Sequence, residues 1–473
     1  MREATELGWR ALLAPRLALP LSVLLGGVLL HSMNVLITAT LLPSVIKDVG
    51  GAALMSWPTT AFVASSIVAA TVAGVLTAAC GAGRVFCGGA AVYCLGAVIC
   101  GLAASMAEVI AGRFVQGLGG GFLSALAYVL VRNVFPEVLW PRVFGLLSGI
   151  WSVSILIGPL IGGVFAGYGY WRGAFFVVAA VAVSLSIVAL FILPGARRGG
   201  FQAPLPVLRV VFVCAAIALL SAAGVTAGVA GKAALLASAI GAFVLVLRLD
   251  RLGSAALLPS DAFSMRSTTG TGLWMVLLLS AAYSPLAIYA PLFLQRLHAL
   301  QPLTAGYMVA AASLAWTTAS LTVASLSGKW PARLIIAGPI AMAIGLLAVG
   351  VLMAPGPVAA LPLPIAAIGT GIGACWAFIA QRVMRGAKPG EESIAASSVP
   401  TVQQAGIAFG AAVSGLVANA SGLSDPMPAA AVLRAAFWVP AALVVAPLTA
   451  IAIGTRLNAL ARRSARGLSC RNR

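Results

Sequence analysis

The sequence is poor in charge: Asp, Glu, Lys and Arg make up 8% of its 473 residues, against roughly a quarter in an ordinary soluble domain. Hydrophobic residues fill 61% of the chain and the mean hydropathy is +1.07. A globule in water needs a polar exterior, so this composition excludes a soluble fold, and the same surplus of apolar surface excludes intrinsic disorder. Acids and imidazoles are scarcer still, with ten Asp and Glu and two His, His31 and His298. All the acids but Glu108 fall in expected loops or tails, and only Glu391 and Glu392 adjoin, on a loop. A metal-dependent membrane enzyme gathers several such ligands around its cation, so the ligand count argues against an enzyme. Long hydrophilic segments are missing too. Residues 195–209, 248–266 and 456–473 are the longest, each under 20 residues, which leaves no room for a soluble domain. The string Gly369-Thr370-Gly371-Ile372-Gly373 has neither a lysine nor a strand beside it. It reads as a packing surface rather than a phosphate loop, and an ATP-driven pump is excluded within this chain. The seven cysteines contain no C-x-x-C pair, so neither a metal site nor a disulfide is expected. Cys80, Cys87 and Cys94, seven apart, are expected to share a helix face as packing residues.

What the chain has in abundance is long stretches without charge. Crossing the hydrocarbon core takes about 20 apolar residues. Stretches free of Asp, Glu, Lys and Arg run over 17–46, 49–83, 85–107, 114–131, 143–171, 173–196, 210–231, 233–247, 267–295, 297–328, 334–381, 393–424 and 435–455. The 48 residues of 334–381 are too many for one crossing, and Ala354-Pro355-Gly356-Pro357 with Pro362-Leu363-Pro364 marks a turn inside them. Split there, the count is fourteen. With the N-terminus inside, 23 of the 29 Lys and Arg fall on the cytoplasmic side, including six arginines from Arg456 to Arg473. Five fall outside (Lys47, Arg172, Lys232, Arg296 and Arg434), and Arg113 is left within a helix. That asymmetry is the positive-inside pattern, so both termini are expected in the cytoplasm. It also accounts for the net charge of +19 as orientation charge beside anionic lipid rather than a nucleic-acid surface. The first span, 17–46, is too long for a secretory leader and lacks a small-residue cleavage site.

Glycine is the most informative residue type. The fourth span reads Arg113-Phe114-Val115-Gln116-Gly117-Leu118-Gly119-Gly120-Gly121, and the fifth Gly158-Pro159-Leu160-Ile161-Gly162-Gly163, followed by Tyr170-Trp171-Arg172. Such runs let helix backbones approach closely, and Pro159 removes a backbone hydrogen bond in mid-membrane. A charge such as Arg113 is costly in lipid and should face an aqueous cavity. The R-x-x-Q-G and G-P-x-x-G-G strings resemble signatures of the major facilitator superfamily, the second being associated with its antiporters. Weaker echoes follow at Leu294-Gln295 and at Thr401-Val402-Gln403-Gln404-Ala405-Gly406. Fourteen spans resemble the drug:proton antiporter branch of that superfamily.

The resemblance implies an all-α integral membrane protein with two six-helix bundles of major facilitator type and two extra helices. Its expected parts are an N-terminal bundle over 1–196, an inserted pair over 197–266, and a C-terminal bundle with a basic tail over 267–473. It implies a monomer in the cell membrane that exports a small organic or drug-like molecule by alternating access, in exchange for protons, with no cofactor. The expected cavity residues are Asn34, Arg113, Gln116 and Trp151, with Gly117, Gly158, Pro159, Gly162 and Gly163 in helix packing and gating. Three departures stand out. Nine residues before Pro43, where the family's first span carries Asp, this chain has Asn34, which cannot carry a proton. In the loop between spans two and three, Gly74 to Arg84, the family's Asp is Ala78. The counterpart in the second half, Leu326 to Arg333, also lacks an acid. If transport is proton-driven, His31, one turn from Asn34, is the candidate titrating group because imidazole titrates near pH 6.5, with Glu108 as a second candidate. The missing acids keep two alternatives open, an uncoupled facilitator or importer and a non-transporting scaffold or sensor.

Overall fold

A computed structural model describes residues 9–136, 139–193, 207–226, 228–252, 258–323, 326, 328–389, 391–424 and 427–471. Glu3, Glu6, Glu137, Arg197, Arg198, Ser254, Asp425 and Arg473 lie outside the described residues, as do the side chains of Ala78, Trp151, Glu392 and Cys470. After one helical turn, Trp9–Leu12, the chain forms α1 (Pro15–Val49), α2 (Trp57–Cys80), α3 (Ala82–Leu102), α4 (Met106–Val134), α5 (Trp140–Gly167) and α6 (Trp171–Ile192). Two further helices follow, α7 (Val207–Val225) and α8 (Val229–Leu252). The remainder is α9 (Thr268–His298), α10 (Pro302–Val323), α11 (Trp330–Leu352), α12 (Pro362–Arg385), α13 (Glu392–Ala420), α14 (Ala429–Leu443) and α15 (Val445–Arg471). Among the described residues there is no strand. Among the described residues ten segments are long and apolar enough to cross a membrane, and Val153–Gly167, Val211–Val225 and Ala230–Val246 are shorter apolar helices.

The breaks between helices have local causes. The 48-residue uncharged stretch is split where the prolines predict, between Leu352 and Pro362. The second and third helices part at Gly81 rather than at the charge of Arg84. Gly81 has φ +87°, a conformation that glycine accepts without a Cβ penalty. This corrects the expectation for the cysteines: Cys80 ends α2, while Cys87 and Cys94 lie on α3. It also turns most of the expected Gly74–Arg84 loop into helix. The last apolar stretch is broken at Val444, because Pro447 lacks an N–H and its ring crowds the carbonyl four residues back.

The chain forms two compact units, one of residues 1–50 and 61–210, the other of 51–60 and 211–473. In the first unit, glycines of α4 seat against two neighbours. A Cβ on Gly117 would strike Phe62 and Ser65 of α2, and one on Gly121 would strike Ser66. A Cβ on Gly119 would strike Gly89 and Tyr93 of α3. The second unit repeats this spacing on α12: Gly369 and Gly373 meet Ala312 and Trp316 of α10, and Gly371 meets Gly338 and Met342 of α11. The string read as a packing surface is one. The fifth helix of each set behaves likewise. Gly158 lies against Met33 and Leu36 of α1, and Gly162 against Ile37. In the second unit Gly406 lies against Leu277 and Ser280 of α9, and Gly410 against Ala281. Each unit therefore carries the same helix-packing pattern. The helices α7 and α8 join the second unit through Leu220, Ala239 and Ala412, and Asn419 of α13 donates to the carbonyl of Gly224 at 3.1 Å.

Candidate functional site

His31 and Asn34 lie three residues apart on α1, as do Arg113 and Gln116 on α4, so each pair shares a helix face. The structure brings the two faces together in the interior of the first unit. Gly27 lies against Leu123 and His31 against Gly120, an antiparallel register that puts Asn34 level with Gly117 and Gln116. Phe62 of α2 joins the group. The Arg113 guanidinium sits 4.1 Å from the centre of its ring, and the His31 ring is 5.3 Å away, centre to centre. Arg113 Nη1 donates to Gln116 Oε1 at 2.6 Å. All four polar residues are buried, Arg113 to 1% exposure.

This interior is under-satisfied. His31 Nδ1, both amide atoms of Asn34, Arg113 Nε and Gln116 Nε2 have no hydrogen-bond partner. An unpaired buried polar group costs about 1–3 kcal/mol, more when charged, so five such atoms in one cluster are expensive for packing alone. Burying the lone charge adds several kcal/mol of desolvation, of which the Phe62 face returns about 2 kcal/mol.

The remaining site candidates lie elsewhere. Gly117 separates α4 from α2 by the width of its missing side chain, and Ser66 donates to its carbonyl at 2.9 Å. Gly158 and Gly162 seat α5 on α1, where Ser32 and Ser154 share a hydrogen bond. Pro159 and Gly163 are buried on the same helix. The side chain of Trp151 lies outside the described residues. Glu108 does not join the buried group. It lies on the exposed first turn of α4, accepting from Ala104 N at 2.9 Å and from the Ser105 hydroxyl at 3.0 Å, while its own N–H donates to Ser105 Oγ. This is a capping box, legible in the sequence as Ser105-x-x-Glu108.

Two features have no local sequence signal. Phe62 is an ordinary apolar residue until α2 places it over Arg113. Asp48 and Arg172 are 124 residues apart, yet form an ion pair at 2.5 Å. Trp171 Nε1 also donates to Asp48 at 3.1 Å, and Arg172 Nη2 to the Ala103 carbonyl at 2.8 Å. This clasp ties together the ends of α1, α3 and α6.

Among the described residues no three His, Cys, Asp or Glu gather as metal ligands. Apolar helices in two matching sets, with a buried polar cluster, define a polytopic membrane protein, and its family and relatives make it a transporter rather than an enzyme. The chain belongs to the Major Facilitator Superfamily, whose family model matches residues 24–411. It is 36% identical over 462 residues to the probable multidrug-efflux transporter Rv1634 of Mycobacterium tuberculosis, covering 93% of this chain and 95% of the relative. The multidrug transporter protein MdtP of Bacillus subtilis is 29% identical over 159 residues, 34% of this chain and 29% of that protein. In fold, the chain is similar to the crystal structure of the POT family transporter PepTSo, with a TM-score of 0.67 at 12% identity, covering 93% of this chain and 98% of the other.

Proposed function

We propose that this chain is a secondary active transporter that exports small organic, drug-like molecules across the cell membrane by alternating access, driven by proton exchange. The near full-length likeness to a probable multidrug-efflux transporter supports export. The observation that carries the reading is the under-satisfied cluster of His31, Asn34, Arg113 and Gln116, because unpaired polar groups inside a membrane bundle are retained for a ligand, an ion or a proton. Fourteen crossings are part of the proposal: α1 to α6, the pair α7 and α8, and α9 to α15 with α14 and α15 as one broken crossing. Both termini are then cytoplasmic, a placement the distribution of Lys and Arg supports, and the units of function are 1–196, 197–266 and 267–473.

His31 is the proposed coupling group, since Asn34 cannot titrate and the Glu108 carboxylate is engaged at its helix cap. Asn34 also favours a second reading, an uncoupled facilitator. Reconstitution into liposomes, with a substrate panel assayed with and without a pH gradient, decides between them. Proton exchange requires accumulation that follows the gradient and collapses when it is dissipated. A gradient-independent rate establishes the facilitator, and no movement of any substrate removes the transport reading altogether.

A further inference from the structure

The two units share one packing pattern, which allows their interiors to be compared position by position. Met33 and Leu36 of α1 stand where Leu277 and Ser280 stand on α9, each pair receiving the first glycine of the fifth helix. Counting along these helices, His31 corresponds to Met275 and Asn34 to Leu278. On the fourth helices, Gly117, Gly119 and Gly121 correspond to Gly369, Gly371 and Gly373. Arg113 then corresponds to Ile365 and Gln116 to Ile368. At all four positions the second unit is apolar, and Met275, Ile365 and Ile368 are fully buried. The same helix packing is therefore achieved without any polar group at these sites. The polar quartet of the first unit is not required by the fold.

The quartet also has a sign. Among the described residues Arg113 is the one buried side chain with a permanent charge, and no Asp or Glu is buried. The described acids of the first unit are committed elsewhere, Asp48 to Arg172 and Glu108 to the start of α4. Arg113 spends Nη1 on Gln116 and leaves Nε without an acceptor. The Nε side of a guanidinium is one of the edges that accepts a carboxylate as a two-point fork. Gln116 Nε2 and Asn34 Nδ2 add unpaired amide donors.

We infer that this cluster recognises an anionic group, a carboxylate or a similar oxyanion on an otherwise apolar molecule, and that it selects against organic cations. The inference rests on the transport reading only for its direction and coupling, since binding can be measured without transport. Purified full-length protein in detergent is titrated with three probes that share a naphthyl ring and end in a carboxylate, a methyl ester or a trimethylammonium group. Binding is followed by tryptophan fluorescence and by thermal stabilisation.

The carboxylate is expected to bind about 10- to 100-fold more tightly than the other two, the worth of a charge-assisted hydrogen-bonded pair. Arg113→Gln should erase that preference, and Arg113→Lys should restore part of it. Equal or tighter binding of the ammonium probe to the wild-type protein overturns the inference, as does failure of the carboxylate to bind at all. Neither result depends on a variant that folds. Uptake by liposomes separates the two claims. A carboxylate that binds to a protein that moves no member of the substrate panel refutes transport and leaves the anion site standing, whereas an ammonium probe moved in preference leaves transport standing and refutes the site.

Discussion

Removing the Gln116 side-chain amide should destabilise the protein more than removing it together with the charge it serves. In Gln116→Leu, Arg113 Nη1 loses its 2.6 Å acceptor and the buried guanidinium has no side-chain acceptor left. The cost is about 3 kcal/mol, at the upper end for an orphaned charged donor. In Arg113→Met the charge itself is gone. Gln116 Oε1 is orphaned at about 1–3 kcal/mol, and the stacking on Phe62 is lost at about 2 kcal/mol, against several kcal/mol of relieved desolvation. The double variant leaves two apolar side chains of similar size, as the second unit has at Ile365 and Ile368, and should be about as stable as the wild type. The two substitutions are therefore coupled by about 2–3 kcal/mol, where independent sites add within about 0.5 kcal/mol. Midpoints of thermal unfolding in one detergent, at one scan rate, measure this at roughly 1–2 °C per kcal/mol for a chain of this length. If the double variant melts at the sum of the two single shifts, Arg113 and Gln116 do not act as a buried unit. A double variant that is stable and still transports at the wild-type rate would instead strip the pair of its functional role.

Other outcomes are expected from the same structure. Labelling of single cysteines at Ser254 and Asp425, in a cysteine-free background, should find the first cytoplasmic and the second external; both on one side would break the fourteen-crossing count. His31→Gln should abolish the response of transport to a pH gradient while downhill exchange continues, and a full gradient response in that variant makes His31 a packing residue. Gly119→Val and Gly371→Val, each driven into a neighbouring helix, should lower the yield of folded protein, the cost being about 3 kcal/mol or more; Gly88→Ala, with open space around it, should express normally, and equal behaviour of the three would refute the seating of the glycines. Arg172→Ala, which removes the half-exposed clasp on Asp48 and Ala103, should cost about 1 kcal/mol and less at high salt; a salt-independent loss would assign its effect to packing.

Much of this was legible from the chain because membranes leave few solutions for the backbone. Uncharged length predicted most of the helices, the prolines between 354 and 364 predicted the split between α11 and α12, and R-x-x-Q-G with G-P-x-x-G-G pointed to the family. Charge was a poorer guide to breaks. The uncharged stretch 49–83 ends only at Arg84, whereas the backbone turns at Gly81, which can hold a positive φ. His31, Asn34, Arg113 and Gln116 could each be picked out as polar residues in apolar runs, but their assembly depends on the register of α1 against α4. Phe62, which lies between His31 and Arg113, was invisible because nothing distinguishes one phenylalanine from the others in a hydrophobic span. Glu108 could have been assigned to its cap from Ser105 three residues earlier.

The glycine seats also set the mechanics of each unit. A helix held backbone to backbone on two sides cannot slide by a fraction of a turn without driving a neighbour's main chain into its own, and no side chain is present to flex out of the way. In the first unit α2, α3 and α4 are locked in this manner, and in the second α10, α11 and α12. Each triplet must travel as a rigid wedge. Compliance is then left to points outside the triplets, such as the break at Val444 ahead of Pro447. Under the proposed alternating access, stiffening that break, rather than the wedges, is where a substitution would slow the cycle without altering what is bound.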